Sequence, residues 1–444
     1  MLEGPGATAG CVITAKPSLI RAIGAPGIAL VAINGMIGAG IFALPASVAA
    51  QAGNLSPWLF LGIGTLFVTV VLSFAELSSY FRESGGPVLF AKTAFGPLAG
   101  FSSGWLLYVS RFTAFAANTT AMALYLGTLW PWVATDVGRI SFISVICTGL
   151  TVANFVGVKD GVRTLAVFTF LKLTPIVILV LLGLKEVTGD TLLPSNMPDI
   201  EDFGGLTLLI IYAFLGFEAS TIVSGEAKTP RRTVPGTMVL TVVTTTILYF
   251  LIMLVYVSVL PEGERDGKTL TDVGRVLAGG VGATVIALAA VFSIGGNLAA
   301  AMLSVPRLTF ALSEQGLLPE WLGKVHTRFQ TPGNSVLLFG SLSLLLALTG
   351  TFVLLAGASS LARMLAYALS IAGLPKIRRQ AGTNDAANAF RLPFWFLIPG
   401  IALALCLWIA ANAPASAWYL ALGQLGVGLL LYWLARSASA GIRT

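Results

Sequence analysis

The chain has 444 residues, of which 56% are hydrophobic and 10% charged, and its formal net charge is +7. A soluble domain carries roughly 25% charged residues, so a water-soluble globule is excluded, and the basic surplus reads as decoration of one membrane face rather than as nucleic-acid binding. Three cysteines without metal-ligand spacing (Cys11, Cys147, Cys406) and a single histidine, His326, exclude a disulfide framework, a metal centre and a histidine-based triad.

Residues 1–24 lack a basic start followed by an isolated apolar core, so a short cytoplasmic tail is expected there, not a cleaved signal peptide. A helix needs about 20 apolar residues to cross the hydrocarbon core. Such runs are expected at 25–50, 58–81, 97–126, 140–157, 165–184, 205–226, 237–260, 280–312, 334–356, 358–375, 394–413 and 416–436. The fold class is therefore an all-α polytopic membrane protein with about twelve transmembrane helices. Placing the N-terminus in the cytoplasm and alternating puts eighteen lysines and arginines on the inner side, among them Lys16, Arg21, Arg82, Lys159 and Arg443. Six fall outside, Arg265 and Arg363 among them, and Arg111 and Lys172 lie within spans. This bias predicts an inner-membrane protein with both termini cytoplasmic. The loops near 185–204, 261–279, 313–333 and 376–393 are too short for an enzyme domain, so the chemistry falls inside the helical bundle.

Two spans carry the marks of an interrupted helix. The first holds Asn34-Gly35-Met36-Ile37-Gly38-Ala39-Gly40-Ile41-Phe42 followed by Pro45; the sixth holds Tyr212-Ala213-Phe214-Leu215-Gly216-Phe217-Glu218. Gly-interrupted segments in corresponding positions of two halves point to an inverted-repeat transporter. Unwound backbone in lipid survives only where it lines a cavity or meets a ligand. Freed N–H groups at the start of a half-helix suit a carboxylate, and freed carbonyls suit an ammonium group. The competing reading of each glycine run alone is close helix packing.

Four ordered stretches carry a resemblance. They are IGAGIFALPA in the first span, FAELSSYFRESGGPVLFAKTAFGP after the second, FLGFEASTIVSGEAKTPRRTVP from the sixth, and SVPRLTFALSEQGLLPEWLGKVHTRFQTPGNSV from the eighth. Over nearly its whole length the chain resembles the amino acid–polyamine–organocation superfamily. That resemblance implies a LeuT-type fold: a first five-helix repeat over 25–184, an inverted second repeat over 205–375, two trailing helices over 394–436 and a cytoplasmic tail at 437–444. It implies that Gly38, Ala39 and Gly40 offer N–H groups to a substrate carboxylate. Carbonyls near Tyr212, Phe214 and Leu215 would take the substrate amine, and Phe217 and Glu218 would belong to the helix-six break. In some proton-coupled members a lysine in surroundings like FTFLKLTPIVILVLLG fills the space of a sodium ion, and Lys172 matches that pattern. At Ala300 and Ala301 the chain lacks the bulky aromatic of members that clamp long cationic side chains, which weakens an arginine–agmatine exchange reading.

A charge in mid-membrane marks a functional site by default. Lys172, ~10 Å into the fifth span, is a candidate proton carrier or a fixed tie from helix five to helices one and eight; snorkelling to the inner surface is the alternative. Arg111 lies near the middle of the third span, ~20 Å from either end. It either pairs with Glu218 or receives a second anionic group of the substrate. Glu218 orients helix six, carries a proton, or pairs with Arg111. Glu76 reads as an interfacial packing charge, Arg363 as interfacial at the outer start of the tenth span, and His326 as a solvated loop residue. The function expected is secondary active transport of amino acids by alternating access, proton-coupled or by exchange, with an amine or polyamine carrier as the alternative. The expected partners are a small amino acid or amine, protons and the lipid bilayer, with no cofactor, no metal and no nucleic acid.

Overall fold

The computed structural model describes residues 24–81, 85–157, 162–193, 200–222, 228–380 and 389–441. The two expected tails lie wholly or partly outside the described residues, except for Gly24 and residues 437–441; so do Lys16, Arg21, Arg82, Lys159 and Arg443. The described residues contain helices and no strand.

In chain order the helices are α1 (Ala25–Met36), α2 (Gly40–Ala52), α3 (Ser56–Tyr80), α4 (Pro87–Phe95), α5 (Pro97–Leu129), α6 (Asp136–Val156) and α7 (Val162–Gly183). There follow the single turn α8 (Gly189–Leu192), α9 (Ile200–Phe214), α10 (Ala219–Ile222), α11 (Pro230–Val259), α12 (Leu270–Ser304) and α13 (Pro306–Glu314). The last are α14 (Gly333–Thr349), α15 (Phe352–Ala372), α16 (Leu374–Gln380), α17 (Leu397–Ala411) and α18 (Ala415–Gly441). Proline in the first turn starts α3, α4, α5 and α11, where its missing N–H costs no helix bond. Thr135 caps α6 by accepting from Gly138 N, and Thr269 forms a reciprocal capping box with Asp272 at α12.

Among the described residues, six stretches are long and apolar enough to cross a membrane: Gly40–Tyr80, Asp136–Val156, Arg232–Val259, Leu270–Glu314, Phe352–Gln380 and Ala415–Ser437. Shorter apolar helices are Ala25–Met36, Phe203–Phe214, Gly333–Thr349 and Leu397–Ala411. The protein is an integral membrane protein. Its inner layer packs α3 on α11, α5 on α15, and α12 on α5 and α7. Large apolar side chains such as Val145, Phe170, Leu181, Leu240 and Val281 are exposed on the periphery, as a lipid solvent requires.

The structure moves one expected boundary with consequences. The turn between the ninth and tenth runs, expected at residue 357, falls at Gly350 and Thr351, where the Thr351 side chain caps Leu354 N. Gly357 lies inside α15. Arg363 therefore sits eleven residues beyond Phe352, ~16 Å along the helix. It is not interfacial: its side chain is 2% exposed. Arg265, expected in an outer loop, is also buried and ties that loop together, donating to the carbonyls of Leu260 and Val257 and to Asn54 Oδ1, each at 2.8 Å. Burial lowers its pKa from the ordinary arginine value.

Candidate substrate site

Two helix breaks meet at the centre of the bundle. Residues Ile37–Ala39 separate α1 from α2, and 215–218 separate α9 from α10. The last turn of α1 touches the second break through glycine: a Cβ on Gly216 would stand 2.1 Å from Gly35 O, and one on Gly35 would stand 2.7 Å from Gly216 O. Gly216 also has φ +120, a conformation L side chains rarely adopt. One step further, a Cβ on Gly40 would meet Ala213 Cα at 2.7 Å. Only glycine permits this approach.

The breaks leave main-chain groups unpaired. Gly38 N turns back to Met36 O at 3.0 Å. The N–H groups of Ala39, Gly40 and Ile41 have no hydrogen-bond partner among the described residues, as expected for the first turn of α2. On the opposite break, Tyr212 O accepts from Leu215 N at 3.4 Å and Ala213 O from the Tyr249 hydroxyl at 3.1 Å. The carbonyls of Phe214 and Leu215 are left without a donor among the described residues. Other freed carbonyls are already used. Lys172 Nζ donates to Ile37 O at 2.7 Å, and Ser293 Oγ lies 3.3 Å from the same oxygen. Asn297 Nδ2 donates to Asn34 O at 3.1 Å. Asn34 Nδ2 in turn reaches Leu30 O and Thr169 Oγ1. Thr169 and Lys172, three apart on α7, thus both hold the broken first helix.

A cavity of about 40 Å³ lies between the breaks. Gly38, Ala39, Gly40, Arg111, Tyr212 and Leu215 all border it, as do Asn118, Asn297, Ala301 and Arg363. Phe214 does not: its ring is buried against Phe60, Phe67 and Tyr249. Tyr212 closes one wall, its hydroxyl donating to Asn118 Oδ1 at 2.7 Å, and Asn118 Nδ2 donates to Asn297 Oδ1 at 2.9 Å. The Tyr212 ring meets Phe352 edge-on with centroids 5.7 Å apart.

Glu218 anchors the other wall. Its Oε1 accepts from Arg111 at 2.8 Å and from Arg363 at 3.1 Å. Its Oε2 accepts from the Tyr367 hydroxyl at 2.6 Å and from Gly216 N at 3.1 Å. Arg363 Nε also donates to Ser110 Oγ at 2.9 Å. Two guanidiniums against one carboxylate leave a local charge of +1, and among the described residues no carboxylate, Glu218 included, borders the cavity. Glu218 is 0% exposed and Arg363 2%, whereas Arg111, which borders the cavity, keeps 18%.

Of the expected candidates, Gly38, Ala39, Gly40, Arg111, Tyr212 and Leu215 border the cavity, whereas Phe214 and Glu218 pack behind the second break and Lys172 behind the first. Sequence reasoning placed Arg363 at the interface and gave no role to Tyr367, Asn118, Asn297 or Ser293. A helical-face signal existed for some: Arg111 and Asn118 are two turns apart on α5, and Arg363 and Tyr367 one turn apart on α15. Glu76 is buried at the end of α3, where Arg378 Nε and Nη2 grip it at 2.7 Å each and Leu392 N donates at 3.2 Å. His326 lies half-buried in its loop, stacked on Phe329.

Comparison with known proteins gives this architecture a family. A family model described as amino acid permease matches residues 23–433. The chain is similar to the methylthioribose transporter of Bacillus subtilis, 27% identical over 94% of each chain. It is equally similar to the branched-chain amino acid permease of the same organism, 27% identical over 94% of each. It is 28% identical to the human cystine/glutamate transporter, over 89% of this chain and 79% of that one. These relatives are transporters rather than enzymes. From residue 23 to residue 433, with its paired helix breaks, the chain belongs to the amino acid permease family.

Proposed function

We propose that this protein is a secondary active transporter that moves amino acids by alternating access. One observation carries the reading. Two helix breaks face each other across a cavity, with free N–H groups at Ala39 and Gly40 on one and the free carbonyl of Leu215 on the other. A zwitterion carries one group for each. In this reading α1–α2 and α9–α10 are each one interrupted span, opening two inverted five-helix repeats, and α17 and α18 are the trailing helices of a twelve-span, LeuT-type protein. Both termini lie in the cytoplasm. A cavity of about 40 Å³ has room for about three waters, so any larger substrate requires the two sides to move apart. Alternating access supplies that movement.

The charge count favours an amino acid over an amine or polyamine. Glu218 accepts four hydrogen bonds and stands against two guanidiniums, so it has little capacity left to attract a cation. Arg111, partly exposed on the cavity, favours a substrate with a second anionic group. Relatives named for branched-chain amino acids, for cystine and glutamate, and for methylthioribose mean that family membership does not choose among substrates. Lys172 is the coupling residue in this reading: its ammonium supports the unwound Ile37 carbonyl, and losing its proton would remove the charge from that hydrogen bond and weaken the support. Proteoliposome uptake of labelled alanine, leucine and glutamate, with and without an inward proton gradient, tests the reading. Saturable uptake, stimulated by the gradient and indifferent to excess putrescine, is expected. Competition by putrescine at the amino acid's own concentration would overturn the substrate class.

A further inference from the structure

A second cavity, of about 670 Å³, lies between α3 at Leu72, α11 from Arg232 to Val243, and the segment at Phe390. Its length, position and chemistry differ from those of the substrate site. From Arg232 to Val243 is eleven residues of helix, ~16 Å at 1.5 Å per residue. That is about half of a ~30 Å hydrocarbon core, the depth of one leaflet. The walls are apolar, and Leu240, Val243 and Phe390 are all exposed. The floor is open at Gly236: a Cβ added there would meet nothing within 4 Å.

The mouth is different. Arg232 is exposed, borders the cavity, and has no carboxylate partner among the described residues. Lys228, four residues earlier in the bend before α11, is also exposed and unpaired among them. An apolar groove one leaflet deep with an unneutralised guanidinium at its end is complementary to one kind of molecule. We propose that this groove binds an anionic phospholipid, its phosphate on Arg232 and an acyl chain along Val239, Leu240 and Val243 over Gly236. A basic residue near a membrane surface contributes about 1 kcal/mol toward an anionic lipid, a preference of about fivefold.

Native mass spectrometry of the full chain in detergent, with equimolar phosphatidylglycerol and phosphatidylcholine, tests this without any transport readout. The wild type is expected to retain phosphatidylglycerol about fivefold over phosphatidylcholine. Arg232→Ala should bring the two lipids to parity, and Arg328→Ala, at an exposed loop arginine elsewhere, should behave as wild type. Gly236→Leu fills the floor and should reduce retention of both lipids; if that variant does not fold, Val243→Trp fills the groove from its exposed side. Equal retention of the two lipids by the wild type, a preference that survives Arg232→Ala, or a dimer without lipid would each overturn the proposal.

Discussion

Replacing Glu218 by alanine probes the knot that holds the second break. In the wild type its carboxylate takes four hydrogen bonds, two of them from the buried Arg363 and the partly exposed Arg111. Removing one partner of a buried ion pair costs about 3–5 kcal/mol, because the other charge stays buried without compensation. Here two guanidiniums are abandoned at once, and the Tyr367 hydroxyl and Gly216 N–H lose their acceptor. Against a total stability of about 5–15 kcal/mol, Glu218→Ala leaves a marginal protein. Arg111→Ala should cost less, about 1.5–3 kcal/mol, because Arg111 is partly exposed and Arg363 still neutralises the carboxylate. The double variant restores the net charge of +1 carried by the wild-type cluster. Its cost should fall short of the sum of the single costs by at least about 1 kcal/mol. Unfolding can be followed with a thiol-reactive dye in detergent, since Cys147 and Cys406 are buried free thiols in the folded chain. Additive costs, or a Glu218→Ala chain that melts with the wild type, would refute the reasoning.

Three further outcomes are expected. Gly216→Ala would drive a Cβ to 2.1 Å from Gly35 O at φ +120; size-exclusion profiles should show loss of monodisperse protein, and a wild-type profile would show that the two breaks are not pressed together. Lys172→Met leaves Ile37 O with only Ser293 at 3.3 Å. Proton-gradient stimulation of uptake should vanish, and stimulation that persists would remove Lys172 from coupling. Arg378→Ala strips the bidentate grip from buried Glu76 and should lower stability by about 1.5–3 kcal/mol, read as an earlier melt; an unchanged melt would count against a structural role for this pair.

Much of the site was legible because lipid makes irregularity expensive. A Gly-Met-Ile-Gly-Ala-Gly run and a Leu-Gly-Phe-Glu run cannot be continuous membrane helices cheaply, so the breaks announced themselves. Arg111, Lys172 and Glu218 stood out because each is a charge within an apolar run. Arg363 was misread for a local reason. Residues 334–375 are one nearly unbroken apolar stretch with glycines at both 350 and 357, and the Thr351 cap that chooses between them is a single hydrogen bond. A shift of six residues at the helix start moved a buried guanidinium to the surface on paper. Asn297 and Ser293 were illegible for another reason. Their partners lie on other helices, and in helices apolar on every side no amphipathic stripe marks which polar residue faces the centre.

The most direct test of the facing breaks is counterflow in proteoliposomes, comparing a transported amino acid with its α-amide and its N-acetyl derivative. The amide gives the N–H groups of Ala39 and Gly40 no carboxylate, and the acetyl derivative gives the carbonyl of Leu215 no ammonium. Both derivatives should fail to exchange while the parent exchanges with saturation. Exchange of either at the parent's rate would mean that the bare main chain of the two breaks does not read the zwitterion.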